Sequence, residues 1–126
     1  MMEEMVKKVL IMLLGAGLVV GLSLPALAGG FGELDKLTAS DAAAFDRFGA
    51  FVALSGTTAI VGAYYNDDAG SNSGSAYLYD FSDPCSIIET KLTASDAAAG
   101  DQFGRSVAIS GTTAIVGAHW VANASG

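Results

Sequence analysis

The sequence predicts an all-β chain built of antiparallel four-stranded meanders, and three observations carry that expectation. Residues 36–63, KLTASDAAAFDRFGAFVALSGTTAIVGA, return at residues 91–118 as KLTASDAAAGDQFGRSVAISGTTAIVGA, at a constant offset of 55. A fixed period of that size marks a repeat architecture. Within each copy, short runs of Thr, Ile and Val alternate with Gly, Asn, Asp and Ser turn signals, the pattern of strands joined by tight turns. Nothing after residue 28 sustains a helical period over a long window. The copies differ at Phe45/Gly100, Arg47/Gln102, Ala50/Arg105, Phe51/Ser106 and Leu54/Ile109 alone.

Residues 1–28 read as a signal-peptide segment that precedes the fold. Lys7 and Lys8 give a basic start, residues 9–24 are uncharged and almost wholly apolar, and Pro25-Ala26-Leu27-Ala28 offers a small-x-small cleavage site. The apolar run is shorter than the roughly 20 residues that a membrane span needs; an uncleaved N-terminal anchor is the rival reading. The remainder divides into a first repeat over 29–90 and an incomplete second repeat over 91–126.

In the first copy, residues 50–54 and 57–63 predict a hairpin around Ser55-Gly56, with Gly56 supplying a positive φ. Residues 107–109 and 112–118 repeat it around Ser110-Gly111. Residues 66–74, NDDAGSNSG, are loop chemistry throughout. Residues 75–81 follow as a third strand, with Tyr77, Tyr79 and Phe81 on one face and Ala76 and Leu78 on the other. Asp83-Pro84 turns the chain, and residues 86–92 form a fourth strand that runs into the second copy. The Ala-rich stretches 42–44 and 97–99 have room for one turn capped by Asp41 or Asp96, too little for a helix. Over 59–63 no position is polar, so this strand expects burial on both faces. A sheet stacked between two others, as in the blades of a β-propeller, provides that burial.

The net charge is −7, and the acids are dispersed. That excludes a nucleic-acid binder, which needs basic patches to displace phosphate counterions, and no basic amphipathic stretch addresses a membrane surface. Cys85 is the only cysteine, so no disulfide forms within one chain; beside Ser86-Ile87-Ile88 it is expected to be buried.

Phe48-Gly49 with Gly62-Ala63, and Phe103-Gly104 with Gly117-Ala118, resemble FG-GAP repeats. These build the β-propellers of integrin α-subunit heads and of many secreted bacterial and archaeal proteins. The flanking KLTASD, VALSGTTAIVGA and GSAYLYDF are similar to the bacterial form. The proline that names the motif is replaced by Tyr64 in one copy and His119 in the other. The resemblance implies an incomplete propeller from an exported protein, secreted or at the cell surface, with a non-catalytic binding or adhesion role. It also implies a calcium loop, whose nearest match is Asp67, Asp68 and Asn72. Calcium takes six to eight oxygens, and the aligned residues in the second copy are Ala122 and Asn123. Asp41, Asp46, Asp96 and Asp101 recur in both copies, and turn capping accounts for them.

No catalytic constellation assembles. His119 is the only histidine and aligns with Tyr64, a position that takes aromatic rings rather than a general base. Cys85 and His119 lie in different repeats without a third orienting group. Tyr64, Tyr65 and Trp120 sit where the chain enters its loop, as packing residues or as a platform for a sugar. Asn123-Ala124-Ser125 fits a glycosylation sequon. The expected partners are an extracellular protein or glycan, no nucleic acid, and no membrane after cleavage. Further repeats or chains are expected to complete the fold, since about three repeats are needed for stability. Two further readings are a lectin-like propeller and an accessory domain of a larger secreted hydrolase.

Overall fold

The computed structural model describes residues 9–14, 31–83 and 85–120. They form β1 (Val9–Leu14), β2 (Phe31–Leu37), β3 (Phe51–Ser55), β4 (Thr58–Ala63), β5 (Ser75–Asp80), β6 (Ile88–Leu92), β7 (Phe103–Ser110) and β8 (Thr113–Ala118). No helix occurs among the described residues. The strands make three antiparallel sheets: β1 with β2, the meander β3-β4-β5-β6, and the hairpin β7-β8. The four-stranded sheet is one complete repeat. The β7-β8 hairpin begins the next repeat, and β7 packs across β3, β4 and the end of β5.

Period-two alternation sends the two faces of the first sheet to different neighbours. On one face, Ala59, Val61, Ala63, Tyr77, Tyr79 and Phe81 form the core with Leu37, Ala39 and Phe48 from the segment that leads into β3. Phe48 sets its ring edge-on to Tyr77 (5.5 Å) and Tyr79 (6.3 Å), pairs worth about 0.5–1.5 kcal/mol each beyond the area they bury. On the other face, Ile60 and Ala76 are buried beneath β7. The strand with no polar position at 59–63 is therefore covered on both sides, as its composition requires.

The contact with β7 is made by backbone. A Cβ built on Gly62 would lie 2.0 Å from the carbonyl oxygen of Gly104, and one on Gly104 would lie 2.2 Å from that of Ser75. Gly104 also has φ +91, which L-residues with a Cβ rarely adopt. Three N–H groups at and just before the start of β7, those of Gly100, Gln102 and Phe103, donate to the carbonyls of Ser71, Asn72 and Ser73 at 2.8–3.0 Å. The motif glycines are where one repeat touches the next.

Several expectations need correction. Ser55 pairs with Thr58, so the hairpin turn is Gly56-Thr57, one residue later than predicted. Gly56 has φ +55 and Thr57 is not in the left-handed region, the II′ arrangement with glycine first. Strand β7 reaches back to Phe103 through an irregularity between Phe103 and Ser106, and β6 starts at Ile88 rather than at 86. The Ala-rich stretches make successive turns, with Ala42 N–H donating to Ala39 and Ala97 N–H to Ala94. Their caps are Asp46 and Asp101, which accept from the N–H of Ala43 (3.1 Å) and Ala98 (2.8 Å). Cys85 is exposed: its N–H donates to Asp83 Oδ1 in the turn before β6, and the neighbouring Ser86 and Ile88 are exposed with it.

Strand β2 was not expected. It lies one repeat upstream of the predicted strand 86–92, and so occupies the place of a fourth strand. With no counterpart of β5 before it among the described residues, it pairs with β1. Of the predicted signal segment only β1 is described; the cleavage residues 25–28, and Pro84, lie outside the described residues.

Two substitutions test this packing by urea denaturation. Gly62→Ala forces a methyl into a backbone carbonyl and is expected to cost about 3 kcal/mol, the upper end of overpacking. Phe45 is exposed with φ +75, where the second copy has Gly100 at φ +87. Phe45→Gly is expected to stabilise by roughly 0.5–1 kcal/mol, because relief of left-handed strain exceeds the entropic cost of glycine. A neutral Gly62→Ala variant would contradict the close approach.

Candidate functional site

Loop 66–74 is fixed by a buried asparagine. The Asn66 amide donates to Asp46 Oδ2 (3.3 Å), while its Oδ1 accepts from Ser75 Oγ (2.8 Å) and the N–H of Asp68 (3.3 Å). Its carbonyl accepts from the N–H of Gly74 (2.9 Å) and from Ser73 Oγ (3.2 Å). Asn66, Ser73 and Ser75 are all buried, and such polar groups are affordable only when bonded. One repeat on, the residue is Val121, which has no side-chain amide. There Asp101 Oδ1 is buried without a hydrogen-bond partner among the described residues.

Across the same edge, β6 reaches over to the segment before β3. Glu89 accepts from Ser40 N–H, from Ser40 Oγ (2.7 Å) and from Tyr79 OH (2.9 Å). The Lys91 ammonium bridges the carboxylates of Asp41 and Asp68 and lies 5.4 Å from the centre of the Tyr77 ring. The Tyr77 hydroxyl donates to Asp41 (2.7 Å). Burial and then these carboxylates push the Tyr77 and Tyr79 hydroxyls far up, so both stay protonated donors. Burial by itself raises the Asp41 carboxyl, but the hydrogen bonds from Lys91 and Tyr77 outweigh it and hold the group below its ordinary value. Burial likewise lowers Lys91, and its two carboxylates outweigh that and raise it.

This arrangement bears on the calcium expectation. Asp67 Oδ1 accepts from the N–H of Asn72 (2.7 Å), Asp68 is tied to Lys91, and the Asn72 carbonyl accepts from Gln102. Among the described residues no three His, Cys, Asp or Glu side chains converge on one point. In this arrangement the Asp68 carboxylate is paired with the Lys91 ammonium.

A candidate ligand site lies where the two copies meet. A cavity of about 450 Å³ is lined by Phe51, Arg105, Ser106, Gly117, Ala118 and His119, a volume in the range of small-molecule sites. The Arg105 guanidinium lies 5.6 Å from the centre of Tyr64 and donates to Gln102 (2.6 Å). Tyr64 packs edge-on against Phe51 (5.9 Å) and Tyr65 (4.5 Å), and Arg47 lies over Tyr65. His119 meets Trp120 edge-on at 5.9 Å, and Trp120 is 65% exposed. The rim offers a guanidinium, a hydroxyl, an imidazole and aromatic faces, which suits a planar, hydroxylated or anionic group.

Sequence reasoning singled out Tyr64, Tyr65, His119 and Trp120, and the structure brings all four to this end of β4 and β8. It missed Arg105, Phe51 and Ser106, although these occupy two of the five positions at which the copies differ. Those differences were the available signal: packing demands the same residue in every copy, whereas a cleft between copies does not.

The comparisons with known proteins agree with this architecture. The FG-GAP repeat family matches residues 31–79 and 88–126. No curated protein and no solved structure matches the chain.

The Lys91 bridge has a pH signature. Asp41 titrates below its ordinary value in the folded chain, so its contribution is complete above that value and is lost as pH falls through the lowered one. The wild-type thermal midpoint is expected to fall as pH drops below about 4. Lys91→Met is expected to lower the midpoint at neutral pH and to flatten that acid-side decline. Parallel curves for the two proteins would rule out the bridge as its source.

Proposed function

Because the chain belongs to the FG-GAP repeat family, we propose that it acts as a non-catalytic binding module of an exported protein, secreted or held at a cell surface, with a role in adhesion. The cleft between the copies carries this reading. It gathers Arg105, Phe51, Ser106 and His119 at the packed junction, an arrangement that suits recognition. The histidine packs on Trp120 and the lone cysteine sits in the turn before β6, so neither is placed to activate the other.

A second reading, a lectin-like module, is favoured by one observation. Trp120 presents an exposed indole beside the cleft, and aromatic faces provide a large apolar contact with a polar tip. Under this reading the ligand is a glycan; under the first it is an extracellular protein.

Surface retention of the full chain on immobilised glycans and on extracellular-matrix proteins tests both. Arg105→Ala is expected to weaken binding about tenfold or more, the loss of roughly 1.4 kcal/mol, on whichever surface retains the wild type. Trp120→Ala is expected to do the same for glycans and to matter little for a protein ligand. Retention indifferent to both substitutions would place the ligand elsewhere.

A further inference from the structure

The outer faces of the two described repeats carry complementary apolar strips, and the interface that would join them already exists inside the chain. In the first copy Ile60 is 0% exposed, because β7 lies over the β3–β4 face that carries Ala53, Ile60 and Gly62. One period on, the same face of the β7–β8 hairpin is bare. Ile115 is 68% exposed beside an open cavity of about 130 Å³ lined by Ala108, Ile109, Ser110, Thr113 and Ile115.

The opposite outer face supplies the matching strip. In β7 the alternation is clear: Val107 and Ile109 are half-buried, while Ser106, Ala108 and Ser110 are exposed. The half-buried side is the one laid against the first sheet. Its counterparts in β3 are Val52 and Leu54, 55% and 59% exposed. Val52 repeats Val107 unchanged, and Leu54 is an isomer of Ile109. Neither strip contains a charge, so their contact desolvates none.

We propose that a second copy of this chain docks head to tail: Val52 and Leu54 of one molecule lie across Ala108 and Ile115 of the next. The contact reproduces between molecules what β7 makes on β3 and β4 within one. It is heterologous, with different patches meeting, so the product is a ring if the rotation closes and an open stack if it does not.

Sedimentation velocity of the full chain over about a hundredfold concentration range tests this. The expected result is a weight-average mass that rises with concentration. Leu54→Lys removes the head and Ile115→Lys the tail, so each variant alone is expected to stay monomeric. An equimolar mixture of the two retains one intact head and one intact tail, and is expected to give a one-to-one dimer of twice the mass. Both side chains are exposed, and rescue on mixing distinguishes a lost contact from a lost fold. A wild type that stays monomeric overturns the proposal and leaves the face to a further repeat of the same chain. A single variant that still self-associates, or a mixture that does not, overturns it equally, in favour of a symmetric or unrelated contact.

Discussion

Where β4 of the first copy meets β7 of the second, no side chain separates the two backbones. Gly62 faces the carbonyl of Gly104, and Gly104 faces that of Ser75. Everything else about the stack follows from this approach. It brings β7 close enough to seal Ile60 and Ala76, it lets the residues at and just before the start of β7 donate three hydrogen bonds into loop 71–73, and it sets the width of the cleft at the junction. Larger residues at either glycine would push the sheets apart and open a void that the surrounding side chains could not fill, a change close-packed interiors do not tolerate cheaply.

The loop beside that contact is held by a buried amide and a bridging ammonium. Asn66 satisfies the Ser73 and Ser75 hydroxyls, the N–H groups of Asp68 and Gly74 and the Asp46 carboxylate, and Lys91 carries a positive charge to Asp41 and Asp68. That ammonium is a point charge with three donors, enough to serve both carboxylates at once. The division of labour along β6 is consistent: Glu89 secures Ser40, Lys91 secures Asp41, and together they hold Leu37, Ala39 and Phe48 on the core.

Much of the fold was legible because the repeat is so exact. Period-two runs, the positive φ of Gly56 and Gly111 and the Tyr77–Tyr79–Phe81 face follow from local chemistry, and the apolar strand at 59–63 announced a neighbour on each side. What was not legible depended on three dimensions. The use of Asp46 rather than Asp41 as a cap turns on which carboxylate folds back. The exposure of Cys85 turns on the path of the chain into β6. Strand β2 lay hidden because its sequence, FGELDKL, shares only its last two residues with the aligned stretch SIIETKL, although the period itself pointed to it. In the cleft, the aromatic residues were conspicuous as types, whereas Arg105 became visible only when the second copy was laid against the first.

The contact between copies has a genetic corollary. It is written in residues that both copies carry: Gly62, which receives the second copy, recurs as Gly117, and Gly104, which fits the first, repeats Gly49. Such a junction holds no record of its position in a series. Unequal recombination between the near-identical coding stretches would add or delete whole periods while every surviving junction kept its fit. The number of units is then a property of the gene's history, and the protein chemistry fixes only how any one unit meets the next.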